Sequence, residues 1–280
     1  MSLTTTLDGL WALQVFAGVE RVCPELGLRP HDKRSETPRV AKSLDVVSEL
    51  INEKAVTAHG DGFLVDKPIL NWLTVLSRRE VALVMLIQQP GENTDLPERV
   101  ALCRRGKWWV SLAIYGNATV RIKPMGIATT HDDASTLIRR ELEAICGTNE
   151  PAKFKPLTVS TSRLRACKNE RDVERLVIEA GADVDQLRAG LALSRSGQSA
   201  QASLCAFQQR QKTVPTVSPL FVTIADTDRG RLMIKNVISG GQQWTILAPG
   251  ISKSINSAII ELLKSLPANE EWHNARNPFG

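Results

Sequence analysis

No long hydrophobic run interrupts this sequence. The longest is Val81 to Ile87, far short of the ~20 residues that a membrane-spanning helix needs. A secretory leader is missing as well. The first basic residue is Arg21, and Asp8 breaks the early apolar stretch, so no charged segment precedes a hydrophobic one. The expectation is a soluble protein that stays in the cytoplasm. Histidine is sparse: His31, His59, His131 and His273 stand alone, with no second His or Cys at metal-ligand spacing. Five cysteines, Cys23, Cys103, Cys146, Cys167 and Cys205, are odd in number and far apart. They read as reduced, buried thiols rather than a disulfide framework. The sequon Asn117-Ala118-Thr119 is then silent. Neither a glycine-rich phosphate loop nor a Gly-x-Ser-x-Gly elbow occurs. Asp226-x-Asp228 with Gly230 starts like a calcium loop but lacks the later ligands, so it reads as a hairpin turn. No catalytic residue, metal or cofactor is nominated, and the chain is expected not to be an enzyme.

Hydrophobic residues make up 42% of the 280 residues, enough for a globular core. The net charge is +5. Acids are interleaved with the bases, so the excess permits an acidic partner without requiring one.

Periodicity divides the chain. Asp8 reads as the N-cap of a helix carrying Leu10, Trp11, Leu13, Val15 and Phe16, after a short strand at Leu3–Leu7. Further helices are predicted after Thr37-Pro38 and after Asp66. Strands follow at Glu80–Gln88, Arg99–Arg104, Trp108–Tyr115 and Thr119–Lys123. Thr130 and Asp133 form a capping box for a helix that stops at Gly147. The stretch from Thr148 to Pro156 holds two prolines and no pattern, and reads as a connector. Helices are predicted again after Ser160, after Asn169 and from Asp183. Strands return at Ala202–Lys212, Leu220–Ala225, Arg231–Ile238 and Trp244–Leu247. A last helix, capped by Ser252, carries Ile255, Ala258, Ile259, Leu262, Leu263 and Leu266 on one stripe.

The two runs match in pattern though not in residue identity. Each has helices, a longer strand, a hairpin, another strand and a closing amphipathic helix. Arg105-Gly106 and Arg229-Gly230 take the same place in the two hairpins. The expected fold is α+β: a quasi-two-fold pair of halves, 1–147 and 157–280, joined by 148–156. The halves are expected to form one compact unit around a central antiparallel sheet with flanking helices.

One segment suggests nucleic acid. Arg104-Arg105-Gly106-Lys107-Trp108-Trp109 sets bases beside aromatics, a pattern that can hold phosphates and stack on bases. A basic nucleic-acid-binding or regulatory protein is therefore the alternative reading. The competing explanation is a solvated turn with one Trp buried and its neighbour on the other sheet face. The bases from Arg163 to Arg175 are neutralised locally by Glu170, Asp172 and Glu174.

Several short motifs occur in an ordered series. Leu7-Asp8-Gly9 with Trp11, Leu13 and Gln14 is followed by Pro24-Glu25-Leu26 and Arg29-Pro30. Arg99-Val100-Ala101-Leu102 precedes Arg104-Arg105-Gly106 and Trp109-Val110. Asp226-Thr227 precedes Gly230-Arg231-Leu232. Trp244, Pro249-Gly250, Leu262-Leu263, Leu266-Pro267 and Trp272 close the series. Together they resemble the EspG proteins of mycobacterial type VII (ESX) secretion, over nearly the whole chain. The resemblance implies a cytosolic chaperone without enzymatic activity. Such a chaperone binds PE–PPE heterodimers at the apolar tip of the PPE helical bundle, keeping them soluble and directing them to their secretion system. It also implies the quasi-symmetric α+β fold already read. A basic member of the family would favour a PPE tip carrying acids.

Alternation nominates the contacts. Leu232 and Ile234 share one face of their strand and read as core. Arg231, Met233 and Lys235 share the other, mixed and long-chained, which suits an adaptable contact. Phe207 and Gln209 join them from the preceding strand. The loop 89–97, with Gln89 and Glu92, is a further candidate.

Overall fold

A computed structural model of the chain describes residues 2–19, 21–28, 45–88, 97–194, 200–208 and 215–267. The first half runs β1 (Leu3–Thr6), α1 (Leu7–Phe16), a 3-10 turn (Pro24–Leu26), α2 (Val46–Asn52), β2 (Val56–His59), β3 (Gly62–Val65), α3 (Lys67–Ser77), β4 (Val81–Gln88), β5 (Pro97–Arg105), β6 (Trp108–Tyr115), β7 (Thr119–Ile127) and α4 (His131–Cys146). The second runs β8 (Leu157–Ser160), α5 (Thr161–Ala166), α6 (Glu170–Glu179), α7 (Val184–Ser194), β9 (Ala200–Gln208), β10 (Thr216–Thr227), β11 (Gly230–Ser239), β12 (Gln242–Pro249) and α8 (Ser252–Lys264).

Ten of the described strands form one antiparallel sheet in the order β1-β7-β6-β5-β4-β9-β10-β11-β12-β8. The order reads the same outward from the β4–β9 junction. Each half contributes its long first strand, then a hairpin, then the strand before the closing helix, then its own N-terminal strand at the edge. The junction is fully paired, from Val81 opposite Gln208 to Gln88 opposite Gln201. One sheet therefore runs through both halves.

Local chemistry explains the element ends. The Thr6 side chain, not Asp8, caps α1 by accepting from the Gly9 amide at 3.1 Å. Gly9 is required there, because a Cβ would fall 1.9 Å from Thr5 Oγ1. The capping box of α4 is present: Thr130 accepts from the Asp133 amide at 3.0 Å, and Asp133 accepts from the Thr130 amide at 3.2 Å. Asn169 caps α6 as the sequence suggests. The two hairpins do not align on their Arg-Gly pairs. Gly106 lies within its turn, whereas Gly230 is the first residue of β11 and pairs with Thr227. Gly230 sits at φ +105, and a Cβ there would meet the Glu150 carbonyl at 2.6 Å. Close passage of the connector, and not turn chemistry alone, demands that glycine.

Three apolar layers hold the molecule. On one sheet face, α4 and α8 cover strands of both halves in a shared core that includes Leu83, Met85, Leu102, Trp109, Leu204, Ile224 and Met233. On the opposite face the halves are covered separately. The 3-10 turn, α1, α2 and α3 cover the first half around Leu10, Leu13, Trp72 and Leu112. The second half packs Leu176, Val177 and Ala189 on Ala225, Leu232 and Leu247. Short strands β2, β3 and β8 were missed by periodicity, each being four residues long.

Candidate partner-binding face

The closing helices decide which sheet face is free. Met233 lies beneath them and is 3% exposed. Lys235, on the same face, donates to both Glu261 carboxylate oxygens on α8, at 2.8 and 2.7 Å. Arg231 is buried: Nε and Nη2 grip Asp226 at 2.7 Å each, and Nη2 also donates to the Gly147 carbonyl at 2.9 Å. These three nominated residues share a face, as alternation requires, but it is the face that α4 and α8 occupy. Ile234, read as core, lies on the other face and lines an open cavity. Phe207 also belongs to that other face, half-buried against the first-half core. Gln209, Gln89 and Glu92 lie outside the described residues.

What the helices leave open is the centre of the opposite face. A cross-sheet row runs Leu86, Ser203, Thr223, Ile234, Leu247 by direct pairing. Leu86 is 50% exposed although it sits on a central strand. Ser203 and Thr223 hydrogen-bond each other at 2.9 Å, which gives each hydroxyl a partner within the sheet. Cys205 and Phe221 are cross-strand partners in the next row, both half-buried. Burial raises the Cys205 thiol, so it lines the trough in its neutral form. Past Phe221 the strand pairing is irregular. Asn236 compensates, accepting from the Phe221 amide at 2.7 Å and donating to the Pro219 carbonyl at 2.9 Å.

The row ends in a cavity of about 250 Å³ between the second-half sheet and its helices. Leu157, Val159, Leu164, Val173, Val177, Ile234 and Leu247 supply apolar walls, with Gln201 and Thr245 as polar edges. Gly190 lets α7 approach α6, since a Cβ there would sit 3.3 Å from Val177 Cγ2. The trough is mixed, with Ser203 and the buried Thr223 between Leu86 and Ile234, and it leads to an apolar cavity that suits a protruding hydrophobic side chain. Alternation could have found Ile234 and Leu86. Their exposure was hidden because the covering helices are remote in sequence.

The basic hairpin is not arranged for bases. Arg104 and Trp109 are 4% and 0% exposed, and Trp109 packs in the shared core. Trp108 is half-buried on the opposite face against the first-half core. Among the described residues no group of His, Cys, Asp and Glu could hold a metal ion. No described helix is long and apolar enough to cross a membrane.

The chain belongs to the class of α+β proteins in which two matched halves share one antiparallel sheet, here with an apolar cavity beside it. The EspG family model matches residues 6–261, and the chain belongs to the EspG family. It is 37% identical over 279 residues to the ESX-2 secretion-associated protein EspG2 of Mycobacterium tuberculosis H37Rv, covering 98% of this chain and 99% of that one. It is 25% identical to the ESX-5 secretion-associated protein EspG5 of the same strain, covering 96% and 95%. Among solved structures it is similar to the M. tuberculosis type VII secretion system chaperone EspG5 in complex with a PE25–PPE41 dimer. The TM-score there is 0.75 at 20% identity, over 99% of this chain and 100% of that one.

Proposed function

We propose that this chain is a cytoplasmic, non-enzymatic chaperone of type VII secretion. It binds a PE–PPE heterodimer through the apolar tip of the PPE subunit, keeps the pair soluble and delivers it to its ESX system. The observation that carries this reading is the open trough from Leu86 to Ile234 and its terminal cavity, on a chain of the EspG family. The solved EspG5 chaperone of like fold holds a PE25–PPE41 dimer, which supports the choice of client class. Higher identity to EspG2 than to EspG5 favours a client of an ESX-2-type system.

An exposed apolar tip on a helical bundle is an aggregation hazard. Covering it needs an apolar centre and a polar rim. The trough supplies the centre through Leu86, Phe207, Phe221 and Ile234. Gln201 and Thr245 supply polar groups at its edge.

Co-expression with PE–PPE pairs of the same genome, followed by size-exclusion chromatography, tests this function. A ternary complex with at least one pair is expected, and none with any pair would end the reading. Leu86→Asp changes a half-exposed side chain and should leave the circular-dichroism spectrum intact while weakening the complex at least about tenfold, the loss of one interface anchor. An unchanged affinity in both Leu86→Asp and Ile234→Asp would move the client to another face.

A further inference from the structure

Two thiols that the binding function does not use face each other inside the first half. Cys23 Sγ and Cys103 Sγ are 3.5 Å apart, and both residues are 0% exposed. They are 80 positions apart in the chain. Cys103 lies on β5, beneath α3. Cys23 opens the 3-10 turn in a left-handed conformation, φ 44. That is an uncommon backbone state for a residue with a side chain. The turn is tethered around it. Glu25 accepts from Arg79 Nε at 3.0 Å, and the Leu26 carbonyl accepts from Arg99. Arg99 pairs across the strands with Leu86, the exposed residue of the trough.

We propose that Cys23 and Cys103 are a modification site, a buried dithiol that a peroxide converts reversibly to a disulfide. Geometry asks little: contact must shorten from 3.5 Å to a bond, and one partner sits on a turn rather than in the sheet. Burial first, and the neighbouring sulfur next, hold the Cys103 thiol well above its ordinary value, with Arg79 as a weaker opposing influence, so a reactive thiolate forms there only when the site opens to water. In the first step one thiolate attacks a peroxide oxygen and hydroxide leaves, producing a sulfenic acid. The second thiol then attacks that sulfur and expels water. The sum is two thiols and one hydrogen peroxide giving one disulfide and two waters. Complete burial makes the reaction wait for local opening of the turn. Once formed, the bond pins the turn to β5. The wall of the trough next to Leu86 is then covalently fixed, and a thiol reductant restores the starting state.

The test uses the full, reduced protein treated with hydrogen peroxide under native conditions. Free thiols are then alkylated in denaturant, and peptides are mapped without reduction. The expected product is one cross-linked peptide pair joining Cys23 and Cys103, lighter by two hydrogens, with Cys146, Cys167 and Cys205 outside the link. The thermal midpoint should rise on the order of 10 °C, as for a cross-link closing a long loop, and fall back with dithiothreitol. The triple variant Cys146→Ser, Cys167→Ser, Cys205→Ser should give the same link. The proposal is overturned if Cys23 and Cys103 stay alkylatable after Cys205 has been oxidised, or if the link forms only in denaturant.

Discussion

Arg231 shows how one side chain can carry the wrong message in a sequence and a clear one in a structure. A long cation on an alternating strand suits an adaptable partner contact. Its guanidinium instead spans Asp226 and the Gly147 carbonyl, tying the start of β11 to the end of α4. The hydrogen bonds that it donates to Asp226 hold its pKa above the ordinary guanidinium value. The backbone around it is equally committed. Its amide donates to the Glu150 carbonyl at 2.7 Å, and its carbonyl accepts from Ala152 and Gly250. Removing one partner of a buried pair leaves the other uncompensated, at a cost of about 3–5 kcal/mol. Arg231→Ala should therefore lower urea-unfolding stability by that amount. The double change Arg231→Met, Asp226→Leu should recover most of it, because it removes both charges together. Client binding per folded molecule should be nearly unchanged. A stable Arg231→Ala protein that fails only in client binding would restore Arg231 as a partner contact.

At the scale of elements, caps and turns carry local chemistry that one sequence displays, and layers do not. The box at the start of α4 was legible because Thr130 and Asp133 stand at the required spacing before an apolar stripe. Its pH behaviour follows from the structure. Hydrogen bonds from Thr130 first, and then from Thr129, hold the Asp133 carboxyl below its ordinary value. A depressed carboxylate contributes stability that is complete above the unfolded value and lost as pH falls through the folded one. Asp133→Asn should lower the thermal midpoint at neutral pH, and the difference should vanish in acid below the folded value. A difference that persisted there would mean the carboxylate charge is not what the cap uses. Faces were harder to read. Alternation in β11 correctly separated Arg231, Met233 and Lys235 from Leu232 and Ile234. Which set lies under helices depends on α8, whose Glu261 takes Lys235, and on α6, whose Val173 and Val177 wall the cavity of Ile234. Both strand faces are half apolar because helices pack on both, so composition could not choose between them. The β8 strand escaped for a different reason. Its four residues follow the connector prolines directly and pair only at the sheet edge, with β12.

For the whole molecule, the decisive feature is that the repeat closes on itself at one seam. Strands β4 and β9 pair along eight residues, and α4 packs with α8 over a core drawn from both halves. Across that helix pair Arg139 Nε donates to Asn256 Oδ1 at 3.0 Å. A half separated from its partner would expose the unpaired edge of a central strand and one side of its closing helix, an aggregation-prone combination. The seam therefore couples the halves, even though the opposite face has two separate apolar clusters with the trough between them. Cooperative unfolding is the expected consequence. Tryptophan fluorescence reports mainly on the first half, through Trp11, Trp72, Trp108 and Trp109, while far-ultraviolet circular dichroism averages over both. The two signals should trace one urea transition with the same midpoint. A second transition, weighted more heavily in circular dichroism than in fluorescence because only Trp244 and Trp272 lie in the second half, would mean that the second half melts independently. The trough would then lie between two separately stable bodies, and the rigid groove required for gripping a client tip would not exist.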